Sequence, residues 1–176
     1  MAVLLIVHHT PSPATEELLG AVRDGATDPQ IEGVEVRVRP ALGATVPDVL
    51  DADGYVLGTP ANLGYMSGAL KHFFDTIYYP CLDATGNRPY GLYVHGNNDT
   101  AGAESAVDRI CTGLDWRRAA GTVSVIGPPD AEARDAPGTA RPSRRASPST
   151  TERAQLKLSP SSGAATGSDG GGAIAE

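Results

Sequence analysis

Apolar residues follow two rhythms along this chain, runs or alternations of strand type and three- and four-residue spacings of helix type. Ala2 to Val7 is a continuous apolar run, which predicts a strand covered on both faces, as in the centre of a parallel sheet. Pro13 suits the first helical position after Ser12, and Glu16, Glu17, Leu18, Leu19 and Val22 continue a helix to about Gly25. Val34, Val36 and Val38 then alternate with Glu35, Arg37 and Arg39, the pattern of an edge strand with one wetter face. Thr45 to Asp51 reads as a short helix with Pro47 in its first turn. Gly54 to Gly58 is a second buried run, which Thr59 and Pro60 are expected to stop, because proline cannot donate to a ladder. Ser67 can cap a helix that carries Leu70, Phe73, Phe74 and Ile77 on one face. Tyr90 to His95 predicts a fourth strand, a helix from about Ala103 carries Ala106, Val107, Ile110 and Leu114, and Thr122 to Ile126 predicts a fifth strand.

Strands alternating with helices predict an α/β fold, a five-stranded parallel sheet with right-handed crossovers and helices on both faces. In the strand order 2-1-3-4-5, three loops meet at the carboxyl edge: His8–Thr15, Thr59–Gly68 and Gly96–Gly102. The first has no Lys or Arg but offers the hydroxyls of Thr10, Ser12 and Thr15 beside a helix N-terminus. That chemistry suits a phosphate held by hydroxyls, backbone N–H groups and the helix dipole. The other two loops are glycine-rich, and Asp99 is their only charge, so their backbones can approach a flat ring.

Composition divides the chain near residue 130. Residues 129–176 hold no aromatic side chain, and their six basic and six acidic residues cancel. Ala, Ser, Gly, Pro and Thr dominate this stretch, and Leu156, Leu158 and Ile174 are too sparse to define a helical face, which predicts a disordered, low-complexity tail. The formal charge of −7 therefore lies on residues 1–128 and argues against nucleic acid or an anionic membrane as a partner. No apolar run approaches the roughly 20 residues that span a bilayer, and the opening residues read as a buried strand rather than a signal peptide. Cys81 and Cys111 are expected to be reduced thiols of a cytoplasmic protein, not a metal cluster or disulfide framework.

The segment Gly58-Thr59-Pro60-Ala61-Asn62-Leu63-Gly64-Tyr65-Met66-Ser67-Gly68-Ala69-Leu70-Lys71-His72-Phe73-Phe74-Asp75 resembles the flavodoxin-like FMN reductases and quinone oxidoreductases. By strand order the resemblance extends over about residues 2–128. It implies a flavodoxin-like fold with FMN as cofactor and NAD(P)H and a quinone-like small molecule as partners, and it leaves a homo-oligomer open. The FMN phosphate would sit at Thr10, Ser12, Ala14 and Thr15. The isoalloxazine would rest against Pro60, Ala61, Asn62, Leu63 and Gly64, with Gly96, Asn97 and Asp99 on its other side. Asn62 and Leu63 stand where that family often has aromatics, and prolines at 11 and 13 replace its usual Thr-Gly-Asn-Thr phosphate loop. The resemblance also implies a fifth helix, which residues 130–176 do not read as.

Other residues carry weaker signals. His8 and His9 are adjacent with no acidic or cysteine neighbour, against a metal site, and His9 is a candidate at the phosphate loop. His72 reads as surface, while His95 either packs in its strand or faces the ligand edge. Ser67, His72 and Asp75 share one helix, too close for a hydrolase triad, and neither a phosphate-binding Lys loop nor a Gly-x-Gly-x-x-Gly fingerprint is present. No side chain is required as a general acid or base. The function expected is an FMN-dependent oxidoreductase taking electrons from NAD(P)H to a quinone or similar acceptor. Two alternatives remain: an electron-transfer flavodoxin with no substrate of its own, and a cofactor-free protein of the same fold lacking its last helix.

Overall fold

The computed structural model describes residues 1–127, and the expectations for the 129–176 tail lie outside the described residues. β1 (Ala2–His8) leads to α1 (Pro13–Ala26), β2 (Val34–Pro40), α2 (Val46–Asp51), β3 (Gly54–Asn62) and β4 (Tyr65–Met66). Then follow α3 (Gly68–Cys81), β5 (Pro89–Gly96), α4 (Ala101–Gly113), β6 (Arg117–Arg118) and β7 (Val123–Ile126). The sheet runs β2-β1-β3-β5-β6, with β7 also on β5, and these pairings are parallel. This is the expected flavodoxin-like order, with a further short strand, β6, beside β5.

The helices begin where the sequence chemistry puts them. Ser12 accepts from the Thr15 N–H, Thr45 from Asp48 N–H and Ser67 from Leu70 N–H, each satisfying an orphan donor of the first turn. Three boundaries differ from expectation. β3 continues through Pro60 to Asn62, pairing with β5 at Pro60 and then with β4. The Gly58 carbonyl accepts from His9 N–H, so the nitrogen of Pro60, two residues on, faces the same side. β1 pairing ends at Gly58, so proline removes a donor there that has no acceptor. α4 begins two residues earlier than expected and buries Ala103, Val107 and Cys111, while Ala106 and Ile110 flank that stripe. The fifth strand, expected at Thr122–Ile126, is β7, but a further two-residue strand, β6, pairs with β5 ahead of it, and its Arg118 binds the Asp108 carboxylate and the Thr122 hydroxyl.

Alternation along the strands sorts side chains onto two faces. Leu5, Val7, Tyr55, Leu57, Leu92 and Val94 meet α2, α3 and α4, whereas Ile6, Val56 and Tyr93 meet α1. At the amino edge, Arg88 donates to the carbonyls of Val49, Leu50 and Ala52 and to the Tyr55 hydroxyl, closing the C-terminus of α2 onto the sheet. Both cysteines are buried free thiols. Among the described residues, no helix is long and apolar enough to cross a membrane.

Candidate functional site

The three loops do meet at the carboxyl edge. β1 and β3 are neighbours, and as β1 ends its chain turns away into α1, held to β3 by the His9 N–H on the Gly58 carbonyl (3.0 Å). On the far side of β3, a two-residue hairpin joins β3 to β4 with Asn62 opposite Tyr65. Its central residues, Leu63 and Gly64, have φ of 52° and 74°, the left-handed pair that matches the twist of a tight hairpin. Leucine is uncommon there, since its Cβ crowds the backbone, and the Leu63 side chain is fully exposed at the tip.

The hairpin is braced from below and from the side. The buried Thr59 hydroxyl accepts from Ser67 N–H (3.0 Å) and donates to the Pro60 carbonyl (2.9 Å), tying the hairpin to the start of α3. Gly102, in the first turn of α4, lies so close to Gly64 that a Cβ there would overlap its carbonyl oxygen. The segments 60–64 and 96–99, expected on opposite sides of a ring, are therefore fixed relative to one another. Gly96 is buried, and a Cβ on it would overlap the Asp99 carbonyl. Asn97 and Asp99 are exposed, and Asp99 Oδ1 accepts from Ala101 N–H (3.1 Å), turning the chain into α4. His95 is buried, and its Nε2 donates to the Gly127 carbonyl (2.9 Å), so its ring ties β5 to the chain leaving β7.

The α1 end of the site has a different chemistry. Thr15 is buried and its hydroxyl donates to the Ser12 carbonyl (2.8 Å), while Ser12 N–H donates to Thr15 Oγ1 (3.1 Å). Thr15 therefore shapes the helix start and has no hydrogen left to give. Pro11 and Pro13 carry no N–H, and Thr10 and Ala14 donate theirs to no other described residue. The turn thus presents two backbone N–H groups, the hydroxyls of Thr10 and Ser12, and the positive end of α1, with no Lys or Arg. That donor set fits a phosphate monoester. His9 Nδ1 is buried with no hydrogen-bond partner, as expected beside a polar group that the protein itself does not supply.

One neighbour of this turn was not among the expected site residues. His8 Nδ1 lies 2.7 Å from Thr10 Oγ1. Burial holds the His8 imidazole below the ordinary histidine value, the Glu16 carboxylate opposes that shift, and the His9 ring adds to it. Behind His8, Gly58 is in register with it on β3, and the Tyr93 ring of β5 fills the space where a Gly58 side chain would be. Tyr65, half exposed beside Asn62, is a second residue the expected ring wall omitted. The only sequence signal for His8 was its place at the end of the first apolar run.

No family model matches the chain. A flavodoxin of Aquifex aeolicus is 38% identical over 77 residues, covering 44% of this chain and 40% of the relative. An NAD(P)H dehydrogenase (quinone) of Geobacter sulfurreducens is 36% identical over 96 residues, covering 54% of this chain and 36% of the relative. The chain thus matches well under half the length of either curated relative. Among solved structures, a Streptococcus pneumonia TIGR4 flavodoxin superposes with a TM-score of 0.58 at 20% identity, covering 74% of this chain and 89% of that one. Oxidised flavodoxin 1 from Bacillus cereus superposes with a TM-score of 0.59 at 16% identity, covering 74% and 88%. The chain has the flavodoxin-like fold, as its strand order and its central Gly-Thr-Pro segment led one to expect.

Proposed function

We propose that this flavodoxin-like chain binds FMN and passes electrons from NAD(P)H to a quinone or a similar acceptor. The observation that carries the reading is the joining of two unlike half-sites across β1 and β3. A cationless cradle of hydroxyls and N–H groups at the start of α1 suits the phosphate, and a rigid glycine-rich edge at 60–64 and 96–99 suits the ring. Thr10, Ser12 and Ala14 would hold the phosphate, with Thr15 shaping the turn. Pro60, Ala61, Asn62, Leu63 and Gly64 would line one side of the ring, and Gly96, Asn97 and Asp99 the other. When bound, FMN supplies the redox chemistry, accepting electrons from a nicotinamide and giving them to the acceptor. The chain's own part is to bind and orient the ring, with exposed Leu63 and Asn62 leaving room for a second flat molecule.

Likeness to the quinone dehydrogenase supports an enzyme, while likeness to the Aquifex aeolicus flavodoxin supports a second reading, an electron carrier with no substrate of its own. One purified sample separates them. The full chain should bind FMN and rise in melting temperature with it, and it should then oxidise NADH or NADPH with a soluble benzoquinone and no added reductase. Binding without that turnover selects the carrier. A colourless protein that gains no thermal stability from FMN overturns both.

A further inference from the structure

The geometry points to His8 as a positioning residue that turns the Thr10 hydroxyl into a phosphate donor and so makes the site select FMN over unphosphorylated riboflavin. This inference rests on the FMN reading above. It starts from how few hydrogens the turn can offer an anion. Prolines occupy positions 11 and 13, the Thr15 hydrogen goes to the Ser12 carbonyl, and Ser12 N–H goes to Thr15 Oγ1. With two backbone N–H groups and the Thr10 hydroxyl left, and the Ser12 hydroxyl already 3.1 Å from Thr15 Oγ1, the direction of the Thr10 hydrogen matters.

That direction is set by one hydrogen bond. Across the 2.7 Å between His8 Nδ1 and Thr10 Oγ1 only one proton can lie. If Nδ1 is bare, Thr10 donates to it and shows lone pairs to the cradle, which repel a phosphate oxygen. If Nδ1 carries the proton, it donates to Thr10 Oγ1, and the Thr10 hydrogen is released to point at the anion. In the free chain burial lowers the pKa of the His8 imidazole, with the Glu16 carboxylate opposing and the His9 ring adding to the shift. Binding a phosphate then stabilises the form with a proton on Nδ1, which takes that proton up from solvent while Nε2 gives its own up to solvent. The polar groups around the ring are Thr10, the His9 ring and the Glu16 carboxylate of α1. His8 is not itself a phosphate ligand in this scheme and acts through Thr10.

The test compares FMN and riboflavin, which differ at the phosphate, by fluorescence titration of the full-length chain. His8→Leu leaves the Thr10 hydroxyl free to turn but removes the hydrogen bond that aims it, so it should weaken FMN about fivefold while leaving riboflavin within about twofold, the size of one neutral hydrogen bond. Thr10→Val, which removes the donor itself, should weaken FMN about tenfold with riboflavin again within about twofold, and the double variant should be no worse than Thr10→Val alone. His8→Asn, which keeps an N–H near the Nδ1 position, should retain most of the FMN preference. Nitrogen-15 spectra of the imidazole should show His8 protonated at Nδ1 with FMN bound and at Nε2 with riboflavin. Equal weakening of both flavins by His8→Leu would make His8 merely structural, and His8→Asn behaving like His8→Leu would remove the donor role. Either result overturns the inference and leaves the FMN reading intact. A wild-type chain that binds neither flavin overturns that reading, and this inference falls with it.

Discussion

The two faces of the sheet are built to different standards. Among the described residues, twenty-three buried side chains make the core under α2, α3 and α4, against four under α1, so resistance to unfolding is concentrated on the first face. The first face contains the deeply buried Tyr55 and Tyr90 and the second the deeply buried Tyr93, and Tyr55 and Tyr93 are treated differently. Tyr55, under α2, stacks on Trp116 with ring centroids 3.9 Å apart, donates to the Val49 carbonyl and accepts from Arg88. Tyr93, under α1, is as deeply buried, but its hydroxyl has no partner among the described residues. The better-packed face holds the sheet together, and the thinner face carries the turn that would take the phosphate. Among the described residues, the buried polar side-chain atoms without a partner are His9 Nδ1, in the turn into α1, and the Tyr93 hydroxyl, under α1.

The largest test of this asymmetry is a pair of truncations. Phe73→Ala, in the centre of α3, should cost about 3–5 kcal/mol in urea unfolding, whereas Leu19→Ala, in the centre of α1, should cost about 2 kcal/mol. Equal losses would show that the two cores are equally close-packed. A smaller and sharper contrast lies in the tyrosines. Tyr55→Phe removes two satisfied hydrogen bonds and should cost about 1–2 kcal/mol, while Tyr93→Phe removes an unsatisfied buried hydroxyl and should be neutral or stabilising by up to about 1 kcal/mol. A destabilising Tyr93→Phe would mean that the Tyr93 hydroxyl has a partner after all.

The smallest effect is a pH limb. Burial pushes the Tyr55 hydroxyl up to about 12 from an ordinary 10.0, with Arg88 opposing. Its folded value is raised, so the contribution is intact below pH 10 and is lost as pH rises towards 12. There the unfolded chain gives up a proton that the folded chain keeps. Between pH 10 and 11 the wild type should lose about 1 kcal/mol more stability than Tyr55→Phe does. Parallel curves would place the alkaline transition elsewhere.

Much of this molecule was legible in its residues, because the strands and helices are written in simple periods. The edge position of β2 was visible in Val34, Val36 and Val38, and the helix starts in Ser12, Thr45 and Ser67. What escaped depended on neighbours distant in sequence. Pro60 stops a strand only where a partner needs its N–H, and β1 has already left. Arg117 and Arg118 carry no strand pattern of their own, yet they pair with Pro89 and Tyr90 as β6, with Arg118 beside Asp108. The candidate site was legible as three loops, since strand order alone brings them together. The internal use of the Thr15 hydroxyl and the approach of His8 to Thr10 arise from the shape of the turn, which two prolines set in a way that periodicity does not report.

Gly58 and Tyr93 share a single side chain's worth of room between two strands. A Cβ on residue 58 would overlap the Tyr93 ring, so the volume can be placed on β3 or on β5 but not on both. In inheritance these two positions are one unit. A lineage that enlarges residue 58 must first shrink residue 93, and the intermediate with neither side chain leaves a hole under α1. Because Gly58 also receives the His9 N–H, drift in a strand interior reaches the mouth of the site. Ancestry, not only chemistry, is thus constrained at the point where the sheet ends and the turn into α1 begins.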